Sequence, residues 1–320
     1  MGRRRKKGRA VHGWLVLDKP YDFGSTEAVS KIRWLYDALK AGHAGTLDPL
    51  ATGILPIALG EATKTVPFIQ DGLKRYRFTA KWGAATTTDD TEGDIIATSD
   101  HRPSKEEIIA ALPNFIGDID QVPPAFSAIK IAGERAYDLA RDGEEVILAA
   151  RTIRVIDFKL IEATTDQAVF EAVTGKGTYV RALVRDLAEI LGTKAHVVGL
   201  RRTGVGPFTE DMAVSFDDIL GEPVSKETDR TKYTPEHLDG FLVSMEAALA
   251  DLPSASLSGG DAAKLRQGRT IIIQPPIAKG IRGDHVGAIE AVLALNDDQP
   301  VALCALDGLK LIPFKVFNFG

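Results

Sequence analysis

Between Gly42 and Gly53 the chain sets one carboxylate, Asp48, among Gly, Ala, Leu, Thr, Pro and a single His. What lies on either side limits how such a segment can fold. Upstream, Val29, Ile32, Leu35, Tyr36 and Leu39 recur at helical spacing, with Ser25 placed to cap the helix and Gly42 to end it. Downstream, Ile54 to Leu59 is an apolar run of strand length. The acid therefore belongs on a loop between a helix and a buried strand, the kind of position from which rigid elements present functional groups. An ionised carboxylate there keeps its charge only with a cationic or hydrogen-bonding partner; otherwise its pKa rises. Gly42, Gly45 and Gly53 permit backbone angles closed to other residues, and Pro49 stiffens the loop just after the acid. The residues alone leave two readings open: a functional carboxylate, or a tight turn in which Asp bonds its own backbone.

Other segments read as follows. Trp14 to Leu17 is a short strand. From Arg75 to Trp82 the pattern alternates, with Tyr76, Phe78, Ala80 and Trp82 on one face and Arg75, Arg77, Thr79 and Lys81 on the other, as in a half-buried strand. Ser104 and Glu107 form a capping box for a helix to about Leu112. Val122 to Val146, with a Gly133-Glu134 turn and a short helix over 135–141, is an excursion from the core. Strands over 152–161 and 168–174 pair, and Val180 to Leu191 is a helix with Leu183, Val184, Leu187 and Leu191 facing inward. The polar stretch 221–236 is a linker or surface loop. Beyond it come a helix over 261–267, a strand over 270–274, and a hairpin of 301–306 with 309–317 turning at Asp307-Gly308. The expected organisation is a basic arm over 1–9, a main domain over 10–250 with an insertion at about 122–150, and a small β-rich domain over 251–320.

At 320 residues, 44% hydrophobic and 26% charged, the composition is that of a soluble globular protein. The chain has no apolar run long enough to span a bilayer and no apolar segment after its first basic residues, so neither membrane insertion nor secretion is expected. The single Cys304 and the absence of zinc-ligand spacing fit a reducing cytoplasm and no metal. Net charge is −5, yet six of the first nine residues are basic. That arm is either a phosphate-binding segment or a solubilising tail. Asp89 to Asp94 lacks the spacing of a calcium loop and reads as a solvated turn. No second Asp-Thr-Gly or Asp-Ser-Gly element is present to complete an aspartic dyad.

Read in order, the segments Leu17-Asp18-Lys19-Pro20, Gly42 to Gly53, Lys74-Arg75-Tyr76, Lys176 to Arg181 and His196 to Arg202 resemble the signature of the bacterial tRNA pseudouridine-55 synthases, the TruB family. The resemblance implies an α+β pseudouridine-synthase fold, a curved and mostly antiparallel mixed sheet flanked by helices, followed by a PUA-like C-terminal domain. It implies isomerisation of uridine in the T loop of tRNA with base flipping. Such a reaction involves no redox change or group transfer to another molecule and so requires no cofactor or metal. No protein partner is implied, and a monomer is expected because an asymmetric RNA needs no two-fold partner. Asp48 would be the catalytic carboxylate. Arg181 would be its partner and hold its pKa down, and Tyr76 would stack on the uracil and be a candidate for proton transfer. Tyr179 would hydrogen-bond in the base pocket, Leu200 would be an apolar wall, and His43 would enter the RNA stack. Lys19, Lys64, Arg201, Arg202 and the arm are the expected phosphate contacts, and the 122–150 insertion would grip the RNA loop. The competing reading is a tRNA-folding chaperone that binds without catalysis.

Overall fold

The computed structural model describes residues 8–319 apart from 128, 132–133, 143–145, 226 and 285–286. Its main sheet has nine strands. Seven run in the order Gly13–Lys19, Thr52–Leu59, Ala195–Val205, Lys74–Trp82, Gln167–Thr174, Arg151–Ala163 and Gly117–Gln121, with Ala41–His43 and Phe208–Thr209 paired alongside. Every pairing is antiparallel except that of Ala195–Val205 with Thr52–Leu59, which sets Arg201 beside Thr52 and Arg202 beside Gly53. The mixed, mostly antiparallel sheet matches the expected α+β class.

The alternation over 75–82 works as expected: Phe78, Ala80 and Trp82 are buried, while Arg75, Arg77 and Lys81 face water. On the buried face Phe78 stacks on Phe170 at 5.6 Å, and Phe170 packs on Phe158 at 5.3 Å. The helix Val180–Ile190 covers this layer with Leu183, Val184 and Leu187. The helix Lys105–Ala111, started by the Ser104–Glu107 capping box, adds Ile108.

The first helix departs from expectation at both ends. It spans Ser25–Leu35, because Tyr36 turns its ring into the core and its hydroxyl donates to Leu238 O at 2.6 Å, and Asp37 then adopts φ 50°. Gly42 therefore stops no helix and lies in the strand Ala41–His43. Gly24 occupies the N-cap position, leaving the Ser25 hydroxyl free to donate to Leu47 O at 2.7 Å and accept from Leu47 N at 2.9 Å.

The C-terminal sheet orders its strands as Ser254–Ser256, Ile289–Asn296, Gln299–Asp307, Lys310–Val316 and Ile271–Ile272. Ile289–Asn296 and the helix Pro275–Arg282 were not legible from the pattern, and the strand expected over 270–274 is only Ile271–Ile272. The expected hairpin forms one residue later, since Asp307 pairs with Lys310 and Gly308 takes φ 58°. This unit shares a core cluster with the main domain: Leu293, Leu303 and Phe317 pack with Trp14, Val16 and Phe208.

The polar linker seats Leu238 in the core through the helix Pro235–Asp239. The excursion contains the helix Ala136–Arg141, while Gly133 of its expected turn lies outside the described residues. So do residues 1–7 of the arm. Arg9 is not part of a free arm, for its guanidinium donates to both Asp239 oxygens at 2.6 and 2.7 Å. Among the described residues no helix is long and apolar enough to cross a membrane.

Candidate active site

Three buried side chains from distant parts of the chain hold the loop 44–51. Arg202, 2% exposed, donates from Nε to Ile54 O at 2.8 Å, from Nη1 to Thr46 O at 3.2 Å and from Nη2 to Gly45 O at 3.0 Å. Lys19, fully buried, donates from Nζ to Pro20 O at 2.9 Å, Phe23 O at 2.6 Å and Pro49 O at 2.9 Å. Ser25 bridges Leu47 as described. Gly53 lets strand and loop approach this closely: its φ is 96°, and a Cβ there would lie 2.2 Å from the Arg202 carbonyl oxygen.

These placements correct the expected roles of three cations. Lys19 and Arg202 do not face phosphate, because both side chains are buried and their protons are spent on backbone carbonyls. Arg201 is bidentate to Asp18 at 2.9 and 2.8 Å and also donates to Glu210 at 2.6 Å. Burial lowers the Lys19 pKa to about 8, with Asp48 opposing. Burial also lowers the Arg202 pKa, opposed by Tyr76, its cross-strand neighbour, and by Asp48.

Arg181, at the second position of its helix and 4% exposed, reaches Asp48 Oδ2 from Nη2 at 2.9 Å. The same guanidinium donates to Thr88 O at 2.8 Å and Phe126 O at 3.0 Å, and its Nη1 lies 3.4 Å from Asp90 Oδ2. The turn expected to be solvated is therefore partly interior. Asp89 and Asp90 are 9% and 7% exposed, and Asp90 accepts from the Thr88 hydroxyl and from Glu92 N. Nothing local marks Asp90 as different from Asp94; only the packing of the turn against Arg181 does.

Burial pushes the Asp48 carboxyl above its ordinary value of 3.8; Arg181 pulls it back, Asp90 pushes it further up, and Lys19 opposes. The expectation that Arg181 would leave it depressed is thus reversed. Desolvation by the apolar loop outweighs one ion pair, part of whose field Asp90 already occupies.

Asp48 and Arg181 stand on the wall of a cleft of about 630 Å³ that Tyr76, Tyr179, Leu200, Lys74 and Arg151 also line. Tyr179 is set by Gln121, 1% exposed, which accepts from Tyr179 N at 2.9 Å and donates to Tyr179 O at 3.2 Å. Burial raises the Tyr179 hydroxyl pKa. His43 precedes the loop in its short strand. Burial, with Arg202, lowers its pKa, so the ring is neutral at pH 7. Lys64 lies elsewhere, donating to Glu61 at 2.5 Å and Val316 O at 2.7 Å beside a separate cleft lined by Arg266 and Phe319.

Arg202→Met is expected to lower stability by about 3–5 kcal/mol, since two loop carbonyls, Gly45 and Thr46, and the strand carbonyl of Ile54 lose their partner and each orphaned group costs ~1–3 kcal/mol. Urea unfolding measures this directly. A loss below about 1 kcal/mol would mean that the loop holds itself.

Two family models match the chain: the TruB family pseudouridylate synthase N-terminal domain over residues 33–180, and the tRNA pseudouridylate synthase B C-terminal domain over residues 181–250. The curated tRNA pseudouridine synthase B of Caulobacter vibrioides is 51% identical over 98% of this chain and 99% of its own length. That of Sinorhizobium medicae is 53% identical over 85% of this chain and 86% of its own. Among solved structures, a chain of the crystal structure of a Cbf5-Nop10-Gar1 complex superposes with a TM-score of 0.70 at 26% identity, covering 96% of this chain and 85% of that one.

Proposed function

The chain belongs to the TruB family of pseudouridylate synthases, and from that premise we propose that it isomerises the uridine at position 55 in the T loop of tRNA, with Asp48 as the acting carboxylate. Uridine isomerisation in tRNA is the reaction of this enzyme. The observation that carries the assignment of the site is the buried Arg181 at 2.9 Å from Asp48, in one cleft with Tyr76 and Tyr179.

The reaction breaks the N1–C1′ bond, turns the base and joins C5 to C1′; the C5 proton leaves and N1 gains one, with no redox change. Asp48 attacks C1′ or supports positive charge there, as carboxylates do in glycosidases. Arg181 fixes its direction through the Nη2–Oδ2 contact, its planar guanidinium itself held by Thr88 O, Phe126 O and Asp90. Tyr76 stacks on the uracil and is a candidate for the proton transfer, Tyr179 hydrogen-bonds to the base, and Leu200 closes an apolar wall. His43 enters the gap left in the RNA stack. Extruding the base costs a few kcal/mol, which stacking and phosphate contacts offset. Ordinary hydrolysis would want a second carboxyl free to act as acid. Asp90 is not free, being held by Arg181, Thr88 and Glu92 N. The T-arm stem-loop suffices as partner, and the enzyme acts as a monomer in the cytoplasm.

The test is tritium release from T-arm RNA labelled at uridine C5. Release by the native chain and none by Asp48→Asn supports the reading; no release from either, with RNA still bound, favours the chaperone.

The pH profile follows from the raised Asp48 pKa. The anion is the working form, so activity falls as pH drops through a value above the ordinary 3.8, and the acid limb of kcat/KM lies there. A limb at or below 3.8 would mean that the Arg181 contact outweighs the desolvation of the carboxylate.

A further inference from the structure

Tyr21 is 61% exposed, yet the loop that carries it is among the most tightly tied near the site. The buried Lys19 ammonium bonds the carbonyls of Pro20 and Phe23, on either side of the Tyr21-Asp22 tip, and with its third proton bonds Pro49 of the Asp48 loop. Phe23 N donates to Pro49 O at 3.3 Å, and the Phe23 ring packs on Phe216 at 5.5 Å. At the tip Asp22 takes φ 54°, a left-handed conformation that a non-glycine residue keeps only where its surroundings hold it. One ammonium thus fixes the Tyr21 loop and the Asp48 loop against each other.

The ring stands at the rim of a small pocket it shares with Asp48, Leu50, Arg181 and Leu200. From there a groove of about 450 Å³ runs over Leu50, Val169 and Val198 to Arg77. Arg77 is about half exposed, and its nearest carboxylate, on Glu171, is 3.9 Å away. An aromatic face, an apolar floor and a loosely paired cation in a line match one nucleotide: base on ring, phosphodiester at the guanidinium.

We propose that Tyr21 stacks on a nucleobase adjacent to the reacting uridine and that the groove from Tyr21 to Arg77 is a second base subsite, separate from the Tyr76 cleft and meeting it at Leu200. The proposal rests on the RNA-isomerase reading above. Because the loop is already ordered by Lys19, stacking there immobilises little that is not fixed beforehand, and such preorganisation goes directly into affinity.

The experiment compares T-arm stem-loop binding by the native chain, Tyr21→Ala, Tyr21→Phe and Tyr21→Trp. Tyr21→Ala should weaken binding roughly 5- to 100-fold, the range for loss of one base–aromatic stack, with an unchanged salt slope. Tyr21→Phe should bind as the native chain does, and emission of the new indole in Tyr21→Trp should be quenched by the RNA. Native affinity in Tyr21→Ala, an equal loss in Tyr21→Phe, or unquenched emission overturns the proposal. Tritium release by the native chain alongside an unchanged Tyr21→Ala removes Tyr21 alone; a native chain that neither binds nor converts the RNA removes the functional reading with it.

Discussion

Asp48→Asn is expected to lower uridine isomerisation by at least about 10⁴-fold, the scale on which removing a covalent nucleophile acts, while affinity for T-arm RNA is unchanged. Asn has the shape of Asp and can still accept from Arg181, but it cannot attack C1′. The loop does not depend on the carboxylate for its conformation, since Arg202, Lys19 and Ser25 all bond its backbone. Stability gives an independent control. The folded carboxyl is raised above its unfolded value, so ionised Asp48 costs stability at every pH above 3.8, and the cost is absent once it is protonated. The neutral Asn escapes that cost, so the variant should melt no lower than the native chain at pH 7. Parallel loss of binding and of melting temperature would make Asp48 a structural residue, and native turnover would remove it from the chemistry.

The second large effect is Arg181→Lys, expected to reduce kcat about 10²- to 10³-fold with little change in KM, the scale on which a preorganised charged donor acts. The substitution keeps the charge. What it loses is reach in several directions, because one guanidinium meets Asp48, Asp90, Thr88 O and Phe126 O at once. A lysine ammonium on a flexible stem can satisfy some of these and leaves Asp48 free to turn from the C1′ trajectory. Single-turnover tritium release separates the chemical step from binding; a rate equal to the native one would mean that Arg181 supports the fold rather than the reaction.

Much of this site could be read in the chain before its fold was known. Asp48, Tyr76, Tyr179, Arg181 and Leu200 stand in motif segments spread over about half the sequence, and all five line one cleft. The inward face of Tyr76 followed from simple alternation, and the helix carrying Arg181 from its Leu and Val spacing. The misreadings share a cause. Lys19, Arg201 and Arg202 read as phosphate contacts because a cation near a binding motif is ordinarily at the surface. Asp90 reads as solvated because it lies in an acidic, glycine-containing turn. Ser25 reads as a helix cap by its position alone.

By itself the sequence determined the elements and the chemistry of the loop: period-2 and period-3.6 patterns report which side chains share a face, and the motif run identifies the family. Tertiary structure alone decided which charges are interior and what they bind. The parallel pairing of Ala195–Val205 with Thr52–Leu59 brings Arg202 under the Asp48 loop, and the packing of residues 88–90 against the Val180–Ile190 helix gives Arg181 its second acid. Neither contact has a local signal. A buried cation is defined by carbonyls and carboxylates from other parts of the chain, and strand order, which no short-range periodicity encodes, sets where those groups lie.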